Sequence, residues 1–455
     1  MAARMAIAAA LALCAAAASQ QEVVETWPDG SVRERFAVDA DGRRDGAYER
    51  FREDGSVELR GLYLRGERSG TWTGFAPDGR RTVVETFRHD QLDGRRETFH
   101  PDGALAQRAV WRRGLLDGAF EEHAADGVRS RTGRYADGEL HGTVQVSAGR
   151  RTLSRQTWVR GELARLDDID RPFPVARHAL LETLAAILAE PDPPVAADGD
   201  PKAPRRAAAL RRLMAYRHLC RLAYAELELV PEWNDLCDAA AEVCAANGGL
   251  SHDPPRPPGM DEERYRQGHL GASRSNLSGG GMVGSVDAYM DDSDPSNIDR
   301  IGHRRWCLNP AMRKTGFGEH EGYSAMWSMD GSGSAPKGME AVLYPPPGWV
   351  PVDMFGPRRA WSVALLRGGS PRADQLAARV RRLDEDWVPT GEPLALDWLN
   401  VAGGGYGGAP CAVFRPVGIE VRPGIRYLAE LSVDGGRTFA WRYVVAFCEP
   451  VGAPR

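Results

Sequence analysis

Gly46-Ala47-Tyr48-Glu49-Arg50-Phe51-Arg52-Glu53-Asp54-Gly55, followed by Gly61-Leu62-Tyr63-Leu64-Arg65-Gly66, decides the fold of the first third of the chain. Asp-Gly suits a tight hairpin turn, because glycine tolerates positive φ and the Asp carboxylate can bond nearby backbone. The dipeptide returns at Asp78-Gly79, Asp102-Gly103 and Asp126-Gly127, each 24 residues after the last, and Asp29-Gly30 precedes the set by 25. A second set keeps the period at Gly46, Gly70, Gly94, Gly118 and Gly142. A third runs through Gly42, Gly66, Gly114 and Gly138, with Asp90 in the slot where a glycine is expected. Aromatics fall between the turns: Tyr48 and Phe51, Trp72 and Phe75, Phe99, Phe120. A single hairpin is marginal in water, so neighbouring copies must stack to bury that face. The pattern predicts an elongated all-β array over residues 22–163. Its arginine pairs, Arg43-Arg44, Arg80-Arg81, Arg95-Arg96 and Arg112-Arg113, read as solvated turn and edge residues.

On these residues the array resembles the MORN-like family in its bacterial form, built on Tyr-x-x-Tyr/Phe-x-x-Asp-Gly and Gly-x-Tyr-x-x-Gly. The resemblance implies a structural or interaction module and supplies no catalytic residue.

Outward from the array, the N-terminus has the order of a secretory signal. Arg4 is its one early charge, an Ala- and Leu-rich stretch spans residues 5–18, and Ser19, Gln20 and Gln21 follow. Ala16-Ala17-Ala18 offers small residues for a signal peptidase, which assigns residues 1–19 to a signal peptide. The apolar stretch falls short of the roughly 20 residues that cross a bilayer. Cys14 after Leu11 gives only a weak lipoprotein pattern, since bulky Leu13 precedes it. The expected location is secreted, periplasmic or at the cell surface, with no transmembrane span in the mature chain. A net charge of −5, from 58 basic and 63 acidic residues, gives no support for nucleic-acid binding. Without Cys14 the mature chain keeps Cys220, Cys237, Cys244, Cys307, Cys411 and Cys448. An even set in an exported protein predicts three disulfides. Cys411 and Cys448 make the simplest pair by position, while Cys237 and Cys244, about two turns apart on one helix, cannot bond to each other. A zinc-thiolate site is the competing use, although no tight C-x-x-C pair is present.

Residues 175–205 read as a helix followed by a Pro-, Asp- and Gly-rich linker. From Ala207, Leu210, Leu213, Met214, Leu219 and Cys220 keep helical spacing, and so do Trp233, Leu236, Cys237, Ala240 and Cys244. The second helix ends in Asn247-Gly248-Gly249-Leu250-Ser251-His252. A polar stretch with His269, Ser275 and Asn276 follows, then a short helix around Tyr289, then Gly302-His303-Arg304-Arg305-Trp306. By chemistry alone His252, His303 and Asp292 could surround a divalent metal or form a hydrogen-bonded polar cleft. There is no H-E-x-x-H helix. Asn276-Leu277-Ser278 also matches an N-glycosylation acceptor.

Residues 206–335 resemble the CAP superfamily of cysteine-rich secretory, antigen-5 and pathogenesis-related proteins. The resemblance is carried by Tyr216-Arg217, Gly249-Leu250-Ser251-His252, and Gly302-His303-Arg304-Arg305 before Thr315-Gly316-Phe317-Gly318. It implies an α-β-α sandwich and a cleft of two histidines and two acidic residues, with His252 and His303 at the histidine positions. Ser275 stands where the family has one glutamate, and Asp292 is a shorter substitute for the other. A two-histidine, one-aspartate site for a divalent metal such as zinc is therefore what the resemblance leaves; His269 either supplies the missing contact or, the preferred reading, occupies the long surface loop.

Residues 339–455 carry apolar strand-like runs from Trp361, Cys411, Tyr427 and Trp441, with Asp434-Gly435 as a hairpin turn, and read as a β-rich, sandwich-like domain. Trp349, Trp361, Trp398 and Trp441 read as packing residues. The architecture expected is multidomain: hairpin array, α-β-α domain, β-rich domain. Function then divides between a non-enzymatic exported binding protein, with a protein, peptide, lipid or envelope ligand, and a metal-assisted hydrolase of peptide or cell-envelope material.

Overall fold

In the computed structural model the described residues are 20–190, 199–405 and 407–453; the signal-like segment, with Cys14, lies outside them. The chain divides into two compact units, residues 1–170 and 171–455.

In the first unit fifteen strands form one antiparallel sheet whose order follows the chain. Only the two-residue strand Glu139–Leu140 lies off that path, beside Arg129–Ala136. At each Asp-Gly the expected chemistry operates. Asp54 accepts the Ser56 N–H at 2.8 Å, and the Gly55 N–H donates to the Arg52 carbonyl at 2.9 Å. Asp29, Asp78, Asp102 and Asp126 make the same bond two residues on. Asp90 fills its glycine slot because it too adopts the left-handed conformation, at φ 61°, and its carboxylate accepts the Arg68 N–H at 2.8 Å.

The copies meet by strand pairing, edge to edge, and bury their rings by laying them across neighbouring strands. Phe36, Tyr48, Trp72 and Phe87 form one buried cluster, and Ala109, Phe120 and Val144 a second. The Trp72 ring lies 5.4 Å from Tyr48 and 5.0 Å from Tyr63. Gly61 makes this possible, since a Cβ there would sit 2.2 Å from the indole. Beside the rings run matched charges. Arg35 pairs with Glu22 and Glu49, Arg60 with Glu49, and Arg108 with Glu97 and Glu121. Arg43, Arg44, Arg80, Arg96 and Arg112 likewise face carboxylates. Such exposed, solvent-screened pairs neutralise the surface more than they hold it.

The second unit begins with α1 (Arg177–Ala189) and α2 (Ala203–Leu219), then α3 (Pro231–Ala246) and α4 (Glu262–Arg274). A three-stranded sheet follows in the order Ser275–Gly279, Tyr323–Trp327, Phe317–His320, with α5 (Met282–Asp291) and α6 (Gly302–Cys307) in the chain between its strands. Strand alternation separates two cores. Phe317 and Met326 join Leu213, Met282, Val286 and Tyr289, while Leu277, Ala325 and Trp327 join Cys237, Ala240, Cys244 and Ala272. Helices thus cover both faces, giving the α-β-α layering. Gly318 lets α3 lie against the sheet, because a Cβ there would meet the Asp238 nitrogen at 2.1 Å.

The C-terminal part is β-rich. A four-stranded sheet contains Trp361–Leu365 and Cys411–Pro416, and a five-stranded sheet contains Arg426–Ser432 and Trp441–Cys448. Trp361 bridges them, 6.5 Å from Tyr427 and 6.4 Å from Tyr443. Trp361 is buried and Trp349, Trp398 and Trp441 pack against buried clusters, which fits a packing role. The main cluster runs without interruption from α1, α2 and α5 into both sheets. Among the described residues no helix is long and apolar enough to cross a membrane.

The expected disulfides do not form. Cys220, Cys237, Cys244, Cys307, Cys411 and Cys448 are all free and buried. Packing separates them: Cys237 and Cys244 face the sheet from α3, Cys220 and Cys307 lie in the main core, and Cys411 sits in a third cluster with Ile298 and Ile301. Cys411 and Cys448, the pair suggested by position, lie on different sheets. Each behaves as a small hydrophobe.

Candidate functional site

Two loops and one short helix deliver the site. The turn after α3 is pinned by Asn247, whose Nδ2 donates to the Val243 and Pro255 carbonyls at 2.9 Å each. That turn presents His252, whose Nδ1 lies 2.8 Å from the Ala272 carbonyl on α4. A carbonyl only accepts, so this nitrogen carries a proton, and in the neutral ring Nε2 is the acceptor.

His303 is held by the same logic. Its Nδ1 lies 2.8 Å from Asp292 Oδ1, and the Asp292 side chain is 1% exposed. The other carboxylate oxygen accepts the Arg304 N–H at 3.3 Å. Tyr289 stacks on the imidazole with ring centroids 5.6 Å apart, and its hydroxyl donates to the Asn276 carbonyl at 3.0 Å. Burial pushes that phenol well above its ordinary value. Asn276 closes the ring of contacts, donating through Nδ2 to the His303 carbonyl at 3.0 Å. Below it the buried Arg304 donates to the carbonyls of Met290 at 2.9 Å and Ala360 at 2.7 Å, tying α5 and α6 to the C-terminal sheet.

The segment between α5 and α6 is bracketed by two left-handed residues, Asp292 at φ 44° and Ile301 at φ 40°. For a β-branched residue this conformation is strained, and such strain persists only where surrounding contacts impose it. Here it sets the start of α6 and so the direction of His303.

His252 and His303 line one cavity of about 520 Å³, together with Ser275, Asn276 and Leu277. Two histidines 51 positions apart therefore close on a common space. Asp292 contacts His303 but is not part of the lining; it acts on the cavity through the imidazole. Ser275 is buried, its Oγ 3.6 Å from Cys237 Sγ. Asn276 is 1% exposed, so the glycosylation pattern falls on an enclosed side chain. His269 does not join this lining, and it sits on α4 rather than in a loop, with Nε2 2.8 Å from Asp253. The sequence reading missed Leu250, Arg300, Trp306 and Met329 in the lining. Trp306 carried a usable signal, since it follows His303 by three residues and so shares its helix face.

Zinc sites in proteins have three or four N, O or S ligands. Two imidazoles line the cavity, and Asp292 stands behind His303 as an orienting carboxylate. Among the described residues no group of three His, Cys, Asp or Glu side chains is placed to hold an ion. The donor set thus fits a divalent metal in part.

No family model matches the chain, and no curated protein matches it.

Proposed function

We propose that the chain is an exported, non-enzymatic binding protein whose ligand enters the cavity between His252 and His303. The single observation that carries this reading is the pair of imidazoles, each fixed at Nδ1 by a protein acceptor and each lining the same space. Two preset acceptors in a concave site define a binding site before they define a reaction. The CAP-like motifs support the same location, the signal-like residues 1–19 support export, and the repeat array supplies a second, non-catalytic surface. A divalent ion such as zinc would use the two Nε2 atoms and draw its remaining ligands from solvent or substrate.

The buried Asp292–His303 pair favours one second reading, a hydrolase in which His303 accepts a proton from water. An acid group that orients an imidazole is the arrangement used in general-base catalysis. One experiment separates the two. Ligand or zinc binding by calorimetry, lost in both His252→Ala and His303→Ala without turnover of peptide or envelope substrates, supports the binding protein. Turnover abolished by His303→Ala overturns it in favour of the hydrolase.

A further inference from the structure

We propose that the cavity takes a short saccharide, with a sugar face against Trp306 and hydroxyls on the two imidazoles; this rests on the cavity being the ligand site. The lining is rich in neutral polar groups and contains no carboxylate. His252 and His303 offer Nε2 lone pairs and Ser251 adds a hydroxyl, while the Ser296 hydroxyl and the Asn297 amide already donate to Asp294 and leave their oxygens as acceptors. Arg300 is the one side chain of fixed charge. A neutral ligand with several hydroxyls finds an acceptor for each of two donors and further partners around them.

Trp306 gives the second observation. It is half-buried and lines the cavity, yet among the described residues it joins no hydrophobic cluster, unlike Trp233, Trp327 and Trp361. An indole that packs no core and faces an acceptor-lined space is a platform for the C–H face of a sugar ring, apolar on one side with a polar tip at its edge.

The third observation disfavours the commonest alternative. Strand Ser275–Gly279 is an edge strand, and three of its residues line the cavity. An extended peptide would add to that edge through main-chain bonds. The Asn276 carbonyl is already taken by the Tyr289 hydroxyl at 3.0 Å, and the Asn276 amide covers the His303 carbonyl. One main-chain acceptor of that edge is therefore already occupied from α5, which disfavours an added strand. The volume, about 520 Å³, lies within the range of small-molecule sites.

The test screens the full chain against soluble disaccharides and trisaccharides of hexoses, N-acetylhexosamines and uronic acids by saturation-transfer NMR, then measures affinity by calorimetry. The expected result is saturation of one ring's C–H protons, at least about tenfold weaker binding in Trp306→Ala, and substantial recovery in Trp306→Phe, with unchanged melting curves. Decanoate and an extended tetrapeptide are run beside the sugars. If either binds with dependence on His303 while no sugar does, the saccharide assignment is overturned and the ligand site stands. Sugar binding indifferent to both Trp306→Ala and His303→Ala overturns both. No binding of any probe also overturns the saccharide assignment.

Discussion

The array buries its rings by contacts between strands adjacent in sequence, whereas the second unit closes its core across long stretches of chain. Trp72 meets Tyr48, Tyr63 and Phe87, all within two strands of it. Arg217, by contrast, is wholly buried and donates to the carbonyls of Ala223, Cys307, Asn309 and Met312. It satisfies four backbone acceptors with one side chain and has no carboxylate partner among these bonds; burial pulls its pKa down to about 10. Local closure makes a fold repetitive and readable. Long-range closure makes a cavity.

The contrast breaks most visibly at Arg217. Arg217→Ala strands buried carbonyls and should cost the second unit about 4 kcal/mol. Calorimetry of the full chain should show one transition falling steeply while the array's transition stays in place; a common shift of both would refute separate cores. Trp72→Ala is the mirror experiment. It removes the centre of the array's aromatic cluster, costs about 3 kcal/mol, and should move only the other transition.

That asymmetry also governs what the sequence disclosed. The 24-residue period exposed the array because each turn is set by residues two apart, as Asp54 and Ser56 are. Helices α2 and α3 were legible from apolar spacing, as were the strands beginning near Trp361, Cys411, Tyr427 and Trp441; α4, whose sequence is mostly polar, read as loop. Strands Ala377–Leu383 and Leu396–Ala402 were not, since arginines and other polar residues interrupt their alternation. In the site, the histidines and the Asp292 contact were anticipated, but Asp292's place behind the ring was not: only the left-handed turn at the end of α5 decides which way that carboxylate points. The disulfides failed for a related reason. Counting cysteines gives parity, but pairing depends on which packing layer each one enters.

Alkaline pH should sharpen the comparison further. All six described thiols belong to the second unit, and burial raises Cys220, Cys237 and Cys448 to about 12 and Cys411 to about 11 from an ordinary 9.0. In the unfolded chain these groups lose protons near pH 9, while in the folded chain they hold them. Stability from the protonated thiols is therefore complete below pH ~9 and declines as pH rises toward the folded values. Between pH 8 and about 10 the second unit's transition should fall and the array's should not. The same thiols should resist a disulfide reagent in native protein and all react in denaturant; fast reaction of several in native protein would contradict their burial.

Two smaller effects follow. Asp292→Asn replaces the anionic acceptor behind His303 and should cost about 1–2 kcal/mol, with nitrogen NMR reporting a shift of His303 away from the Nδ1–H tautomer. Asp90→Gly restores the repeat's usual residue at a left-handed position. It should change stability by no more than about 0.5 kcal/mol, because the lost bond to the Arg68 N–H offsets relief of backbone strain.

A sheet whose strand order is its chain order has a property that closed folds lack: its length is adjustable. Each added or deleted block of two strands keeps the turn and ladder pattern, so the register elsewhere need not change, although the rings carried by that block are gained or lost with it. Removing the 24 residues 70–93, which joins Ser69 to Gly94, would leave one turn geometry feeding another of its kind. The array can therefore vary by whole periods, as a ruler varies by its graduations, while the second unit admits no such edit.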